Sequence, residues 1–566
     1  MHSKRWFVAP PPTATARAAL EQEGYPPLVA QLLFNRGLAT PPEARRFLEG
    51  TQTPDDDPLL LTGMATAIER LQYAVRNGES IAIYGDYDAD GVTATALLVQ
   101  CLTELGAHVF PYIPQREDEG YGLHIEALHK LKNDYAARLI VTVDCGIRSL
   151  TESEAAQELG LDLIITDHHH PGTELPRAVA VINPKQSSEV YPEKGLAGVG
   201  LAYKLAQGLT RAMGGSAAVV TGAVDLVALG TVTDLAPLIG ENRHLVRQGL
   251  KLINQPRREG LRALLETARL KPGTITAGDI SFVLGPRLNA AGRMESALAA
   301  YELLLTNDAI QARRQAWQLE QQNRERQELT HLTHLRAREI ALAEQRDQPL
   351  LFAADDNFKE GIIGLAAARL CDEFYRPAVV VSRGPLFSKG SARSIREFHI
   401  TTALDECRDL LVRHGGHAAA AGFTVETAKL KELTERLESI AARELAGIDL
   451  CPALHIDAEI TAEAITGELY AWLQRFEPCG YGNPAPVLAS RGLKVTDARA
   501  VGADGQHLKL VLSDGRWTLD AIAFRQGRWA GCLPPRVDVA YHLEINEWNG
   551  TRRLQLNVLD LKPAQQ

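Results

Sequence analysis

The stretch Ile81-Ala82-Ile83-Tyr84-Gly85-Asp86-Tyr87-Asp88-Ala89-Asp90-Gly91-Val92-Thr93 decides how the chain is read. A short apolar run ends in three aspartates at alternate positions and a glycine, and the helix-forming run Ala94 to Cys101 follows. The pattern predicts strand, acidic turn, helix. Three carboxylates within five residues repel one another unless cations lie between them. A solvated surface loop is the plain alternative. The acids stand at the carboxyl end of a buried strand, where open parallel sheets carry their sites, and this favours a divalent metal.

Outward from this stretch, residues 81 to about 240 alternate strand and helix, which argues for a parallel α/β layer. Strands are expected at 108–113 and 138–143, the second ending in Asp144-Cys145-Gly146. A helix near 153–159 leads to a strand at 162–165 that ends in Thr166-Asp167-His168-His169-His170-Pro171. The apolar run 224–229 reads as a further strand, passing through Gly230-Thr231-Val232-Thr233 to Asp234. Four strand ends then carry acid or imidazole, and one metal centre accounts for them together. Imidazole among carboxylates suits Mn²⁺ or Mg²⁺. Short helices at 14–23, 27–36, 42–48 and 64–77 are expected to pack against this sheet. The tract Gly195-Leu196-Ala197-Gly198-Val199-Gly200 lacks the Gly-Lys-Ser/Thr ending of a nucleotide loop and reads as a packing turn at a helix start.

Residues 308–346 contain no proline and suggest one or two long helices, with the mixed charge of a solvated connector. Alternation resumes from 347 to 448: strand 350–354, helix 362–371, strand 378–382, a turn carrying Ser391 and Arg393, helix 402–412, then His417 in a glycine turn. A hydroxyl beside a guanidinium suits a terminal phosphate. From 454 onward six short strands are expected, at 454–459, 487–495, 507–512, 517–524, 537–545 and 553–561. Turns at Ser513-Asp514-Gly515 and Asn549-Gly550 separate strands, and the set suggests a small OB-fold barrel. Trp517, Phe524, Trp529 and Trp548, with Arg525, Arg528, Arg552 and Arg553, offer stacking and charge for a single strand.

The chain has 566 residues, more than one core supports, so three or four domains are expected. Its net charge of −10 argues against a generally basic nucleic-acid binder, although a binding groove is a local feature. Seven scattered cysteines without a Cys-x-x-Cys pair fit a reducing compartment. No apolar signal core and no run of transmembrane length is visible, so a cytoplasmic protein with no membrane association is expected.

The Asp-x-Asp-x-Asp-Gly tract at 86–91, Asp144-Cys145-Gly146, Asp167-His168-His169 and Gly230-Thr231-Val232-Thr233-Asp234 resemble the four motifs of the DHH phosphoesterase superfamily. Within it the chain is similar to the single-strand-specific DNA exonucleases, from about residue 50 to the carboxyl end. Gly285-Pro286-Arg287-Leu288-Asn289-Ala290-Ala291-Gly292-Arg293, Lys389-Gly390-Ser391-Ala392-Arg393-Ser394-Ile395 and Gly415-Gly416-His417-Ala418-Ala419-Ala420-Ala421-Gly422 resemble their later motifs. In one place the chain departs: Phe358-Lys359-Glu360-Gly361-Ile362 stands where relatives often show Trp-His, so no role is assigned there.

The resemblance implies an α/β fold. A parallel-sheet DHH domain (51–307) follows an N-terminal helical segment (1–50), and a connecting helix (308–346) joins it to a smaller α/β DHH-associated domain (347–450). A C-terminal OB-fold β-barrel (451–566) completes the chain. It further implies 5′ to 3′ exonucleolytic hydrolysis of single-stranded DNA, in DNA repair and recombination, with substrate in the cleft between the lobes. Asp86, Asp88, Asp90, Asp144, His168 and Asp234 are the expected ligands of one or two Mn²⁺ or Mg²⁺ ions, with Asp144 as bridge. His169, Asn289 and Arg293 are expected at the scissile phosphate. Arg116 and Tyr121 would narrow the entrance, Arg287 would bind substrate, and Ser391, Arg393 and His417 would receive a 5′ phosphate. No serine or cysteine is paired with a base in these motifs, so no covalent intermediate is expected. A single-strand-binding protein and a helicase are the partners implied, for a monomer. Two rivals are a related phosphoesterase of pyrophosphate, cyclic dinucleotides or short oligonucleotides, and a non-catalytic single-strand-binding scaffold. The barrel and length disfavour the first, and the complete ligand set disfavours the second.

Overall fold

A computed structural model describes residues 4–50, 56–115, 119–344, 348–548 and 550–564. The chain divides into two units. One comprises Gln52–Glu328 with Glu477–Pro484, the other Met1–Thr51, Leu329–Phe476 and Ala485–Gln566.

The first unit is built on a five-stranded parallel sheet. Its strands lie in the order His108–Tyr112, Ser80–Gly85, Ala137–Val143, Asp162–Thr166, Ala180–Ile182. Alternate residues along each strand feed two cores, as the two-residue period of a strand requires. Ile81, Ile83, Leu139, Val141 and Ile164 join the larger core with helices Met64–Arg76, Ala89–Glu104 and Gly198–Ala212. Ala82, Tyr84, Ile140 and Ile165 join the other, with Leu128 and Leu131 of helix Ile125–Tyr135. Three strands therefore end at one sheet edge in 86–90, Asp144 and 167–169.

The fourth expected strand is a helix. Val224–Thr233 is helical, and its residues from Val224 to Val232 are all buried. An apolar run this short has the same composition whether it is a central strand or a helix enclosed on every side, so periodicity cannot separate them. Asp234 consequently arrives at the site from a helix C-terminus rather than from a strand end.

In the second unit, Leu351–Asp355, Ala378–Ser382, Phe387–Arg393, Ala420–Glu426 and Leu411–His417 form a mixed sheet in that order. Two expectations fail here. Ser391 and Arg393 lie on a strand, not a turn, and 411–417 is a strand rather than helix and glycine turn. The helix read at 402–412 is confined to Ile400–Asp405. Cross-sheet packing decides this: Phe423 lies over Gly390, where any Cβ would come within 2.1 Å of its ring.

The barrel strands run Leu488–Val501, His507–Ser513, Thr518–Ala523, Thr551–Pro563, Arg536–Trp548, closed by pairing of the last with the first. The helices Ala14–Gln22, Pro27–Phe34 and Pro41–Glu49 belong with this unit, against the expectation that they cover the first sheet. Asn35 Nδ2 donates to Asp457 O at 2.9 Å, and the rings of Phe47 and Phe476 meet edge-on at 5.7 Å. Strand Arg5–Val8, which the sequence did not suggest, pairs with Ala453–Ile456. The 308–346 segment is one helix, Ala309–Glu344. Among the described residues no helix is long and apolar enough to cross a membrane.

Candidate metal centre

Strand Ser80–Gly85 is buried throughout and delivers the acidic turn to the sheet edge. Asp88 caps the following helix, its Oδ1 accepting Asp90 N at 2.9 Å and Gly91 N at 3.1 Å. Gly91 must be glycine, because a Cβ there would lie 2.5 to 2.7 Å from the Asp86 backbone. Helix Gly285–Met294 supports the same turn: Asn289 Oδ1 accepts Ala89 N at 2.8 Å.

Asp144 follows strand Ala137–Val143 with φ +62°, a left-handed conformation that costs an aspartate about 1 kcal/mol or more and is typical of functional sites. Its amide donates to Thr166 O at 3.0 Å. His168 Nε2 stands 3.0 Å from Asp144 Oδ1, 3.7 Å from Asp234 Oδ2 and 4.0 Å from Asp90 Oδ2. Three sets of donors therefore lie within 4.8 Å of one another: Asp86, Asp88 and Asp144; Asp90, His168 and Asp234; Asp144, His168 and His169. Asp144 and His168 each belong to two sets.

The electrostatics are those of a site short of positive charge. Burial, then the charge of Asp88, pushes the Asp90 carboxyl up to about 7. Burial, then Asp90 and Asp88, pushes Asp234 up to about 9. Asp144 is driven well above the usual carboxylate range by burial and by the neighbouring acids, Asp90 first. Burial and then His169 lower the His168 imidazole to about 3, so it is neutral and able to ligate. Asp144 Oδ1 and His168 Nε2 are buried with no hydrogen-bond partner. Lone pairs left unsatisfied among hard oxygen donors and one imidazole fit a divalent ion such as Mn²⁺ or Mg²⁺.

His169 is held differently. Its Nδ1 is 2.8 Å from Asp167 Oδ1 and its amide donates to the same oxygen at 3.0 Å, while Ile147 N donates to Oδ2 at 3.0 Å. Tyr121, expected to narrow the entrance, places its hydroxyl 3.1 Å from His169 Nδ1 and 3.4 Å from Asp144 O. Arg116 lies outside the described residues. Arg287 is held by Glu320 and by the Val283 carbonyl: its Nε and Nη2 both reach Glu320 Oε2 at 2.8 Å, and Nη1 donates to Val283 O at 2.7 Å. Arg293 is half-buried on the same helix as Asn289. Sequence reading gave Asp167 no part; an acid two residues before a candidate catalytic histidine at a strand end is the signal that identifies it.

In the second unit, Arg393 Nη1 donates to Ser391 Oγ at 3.2 Å. Register places Arg393 opposite Ala420 and Ala420 opposite His417, so these three share one row; Ser391, Gly422 and Gly415 share another. Between the polar side chains the sheet carries only small residues. Gly364 of helix Glu360–Phe374 faces them, a Cβ there falling 3.0 Å from Ser391 Oγ and 3.2 Å from Arg393 Nη2. The result is a shallow polar basin.

A parallel sheet at whose edge five acids and a neutral imidazole gather defines a DHH-type phosphoesterase site. The chain matches the DHH family N-terminal domain over residues 80–231, the DHHA1 domain over 347–443 and the RecJ OB domain over 456–560. It is 38% identical to the single-stranded-DNA-specific exonuclease RecJ of Bacillus subtilis (strain 168), over 98% of this chain and 70% of that protein. It is 36% identical to the RecJ of Dickeya dadantii (strain 3937), over 96% and 97%. The crystal structure of RecJ in complex with Mn²⁺ from Thermus thermophilus is similar with a TM-score of 0.86 and 32% identity, over 99% of this chain and 80% of that one. The chain belongs to the RecJ family.

Proposed function

We propose that this chain is a metal-dependent exonuclease that hydrolyses single-stranded DNA from its 5′ end, with Mn²⁺ or Mg²⁺ as cofactor. The observation that carries the reading is the overlap of three donor sets through Asp144 and His168 at one sheet edge. RecJ relatives are single-stranded-DNA-specific exonucleases by name, and RecJ structures with Mn²⁺ and with Mg²⁺ resemble the chain.

Asp86, Asp88, Asp90, Asp144, His168 and Asp234 would hold one or two ions, with Asp144 and His168 shared between donor sets. A bound divalent ion supplies Lewis acidity to phosphate oxygens and to an attacking water. His169, oriented by Asp167, stabilises charge on the scissile phosphate, and Arg293 adds a fixed positive charge. Asn289 keeps the acidic turn in place. Ser391, Arg393 and His417 receive the 5′ phosphate, and the barrel holds the following strand. A division at 1–50, 51–307, 308–346, 347–450 and 451–566, a monomeric state, a cytoplasmic location, a role in repair and recombination, and cooperation with a helicase and a single-strand-binding protein belong to the same reading.

The test replaces Asp144 by alanine and follows Mn²⁺-dependent release of mononucleotides from a 5′-phosphorylated oligomer. A loss of about 10³-fold or more is expected, since removing one charge-stabilising group alone costs about 10²–10³. Undiminished release by Asp144→Ala would overturn the assignment.

A further inference from the structure

The glycine tract at 195–200 packs a helix start, as its sequence suggests, but it also does something its sequence does not announce. Helix Gly198–Ala212 begins within it, and the residue preceding the helix, Ala197, offers no side-chain cap. The first N–H groups of a helix need acceptors from elsewhere. Here the acceptor is Asp90, 108 residues away: Gly198 N donates to its Oδ2 at 2.6 Å and Val199 N to its Oδ1 at 2.9 Å. Asp90 is 1% exposed, so no water competes for these oxygens. The partial positive charge of the helix terminus favours the carboxylate it meets.

The same helix end is wedged against Asp144. A Cβ on Gly198 would lie 2.7 Å from Asp144 Cβ and 3.0 Å from its Oδ1. Opposite, a Cβ on Gly230 would lie 2.7 Å from Asp90 Oδ1 and 2.4 Å from Thr93 Oγ1. Two glycines from separate helices thus make the room in which Asp90 and Asp144 stand side by side. Two carboxyl groups packed this closely present their oxygens to one ion only if each is held in place.

We propose that the 195–200 tract is a backbone clamp for Asp90, with Gly198 and Val199 as positioning residues that fix both carboxylate oxygens before any ion arrives. Gly198 and Gly230 are required because a methyl at either would displace Asp144 or Asp90. The inference rests on the metal-dependent reading above for its functional meaning, while the clamp itself is a property of the folded chain.

Two measurements test it. In the first, Mn²⁺ binding to the full chain is titrated by calorimetry for wild type, Gly198→Ala and Gly200→Ala. Loss of supporting contacts around metal ligands weakens affinity by about 10- to 100-fold, and that is the expectation for Gly198→Ala. Gly200→Ala adds its methyl against the Leu196 side chain alone, 3.3 Å from Cδ2 and 3.6 Å from Cβ, and keeps wild-type affinity. A folded Gly198→Ala protein with wild-type Mn²⁺ affinity overturns the clamp. The second uses thermal unfolding in EDTA, where near-isosteric variants fold and no ion contributes. Asp90→Asn turns an N–H group toward an N–H donor, so its midpoint falls; Asp144 Oδ1 accepts no hydrogen bond, so Asp144→Asn meets no such clash and its midpoint does not fall. If both midpoints rise alike, the clamp is rejected. Wild-type protein that binds no Mn²⁺ sinks the metal-dependent reading instead, and the EDTA melts alone then decide the clamp.

Discussion

The phenol oxygen of Tyr121 lies 3.1 Å from Nδ1 of His169, the nitrogen that also stands 2.8 Å from Asp167 Oδ1. Burial acts to raise the Asp167 carboxyl, but the hydrogen bonds from His169 and from the Ile147 amide outweigh it and hold the group below its usual range. An ionised carboxylate only accepts, so the network assigns the proton to Nδ1 and leaves Nε2 for the substrate. The Tyr121 oxygen then accepts a share of the same N–H while its own proton points to Asp144 O, and it helps orient the ring proposed to act on the phosphate. Tyr121→Phe keeps the edge contact with that ring, centroids 5.6 Å apart, and deletes the hydroxyl. One hydrogen bond is worth about 1 kcal/mol net, so kcat is expected to fall about fivefold to tenfold with KM for single strands nearly unchanged. A raised KM with kcat intact would mean that the hydroxyl contacts the strand.

The acidic cluster dictates how metal-free protein responds to pH. An aspartate in the unfolded chain titrates near about 3.9. Folding moves Asp90 to about 7, through burial and then Asp88, and Asp234 to about 9, through burial and then Asp90. Both folded values lie above the unfolded one, so the folded state holds protons that the unfolded state has released. The stabilisation they give is complete below about pH 4 and is lost as pH rises through the folded values. Unfolding midpoints in EDTA are therefore expected to fall from pH 5 to pH 9. Each unit of separation is worth about 1.4 kcal/mol, so the total reaches several kcal/mol. Mn²⁺ at pH 8 is expected to restore the midpoint, since an ion bound only by folded protein stabilises it by mass action. A flat profile in EDTA would show that these acids do not share one site.

What the sequence displayed, and what it hid, follows from range. Asp88, Asp144 and His168 were legible because each sits where an apolar strand stops, a pattern contained within a dozen residues. Asp234 was legible as a member of the acidic cluster but not as a helix end, because a helix buried on every side and a central strand share one composition. The strand character of Ser391 and Arg393 depends on pairing with Ala420–Glu426, about thirty residues on, which no local window contains. The clamp on Asp90 lies 108 residues from its carboxylate and uses backbone atoms, to which residue identity is nearly silent. The contact of the Tyr121 hydroxyl with His169 was not legible, since side-chain direction is set by packing.

If the basin around Ser391 and Arg393 receives a terminal phosphate, its effect is confined to substrates that carry one. Hydrogen bonds to charged groups contribute about 1.5–3 kcal/mol, or roughly 10- to 100-fold. Arg393→Ala is expected to lower kcat/KM for 5′-phosphorylated strands by that factor and to leave 5′-hydroxyl strands within about twofold. His417→Ala, from an exposed residue in the same row, is expected to act in the same direction and less. Comparing the two substrates for each variant checks this, and equal losses on both would place the residues in folding or general binding.

The barrel groove offers a separate test of strand binding. A cavity of about 1120 Å³ is lined by Arg499, Lys509, Phe524 and Arg553 among others, and the half-exposed Phe524 ring meets His507 edge-on at 5.2 Å. Stacking of a base on an aromatic ring is worth about 1–3 kcal/mol, so Phe524→Ala is expected to weaken binding of long oligonucleotides by roughly fivefold to 100-fold. Arg553→Ala removes one phosphate contact and is expected to lower the slope of log affinity against log salt by about 0.7. Fluorescence anisotropy in EDTA reads both without degradation. Strands of two or three nucleotides serve as the comparison and should bind each variant as they bind wild type. Should the short strands weaken in parallel with the long ones, the groove is not where the distal strand lies.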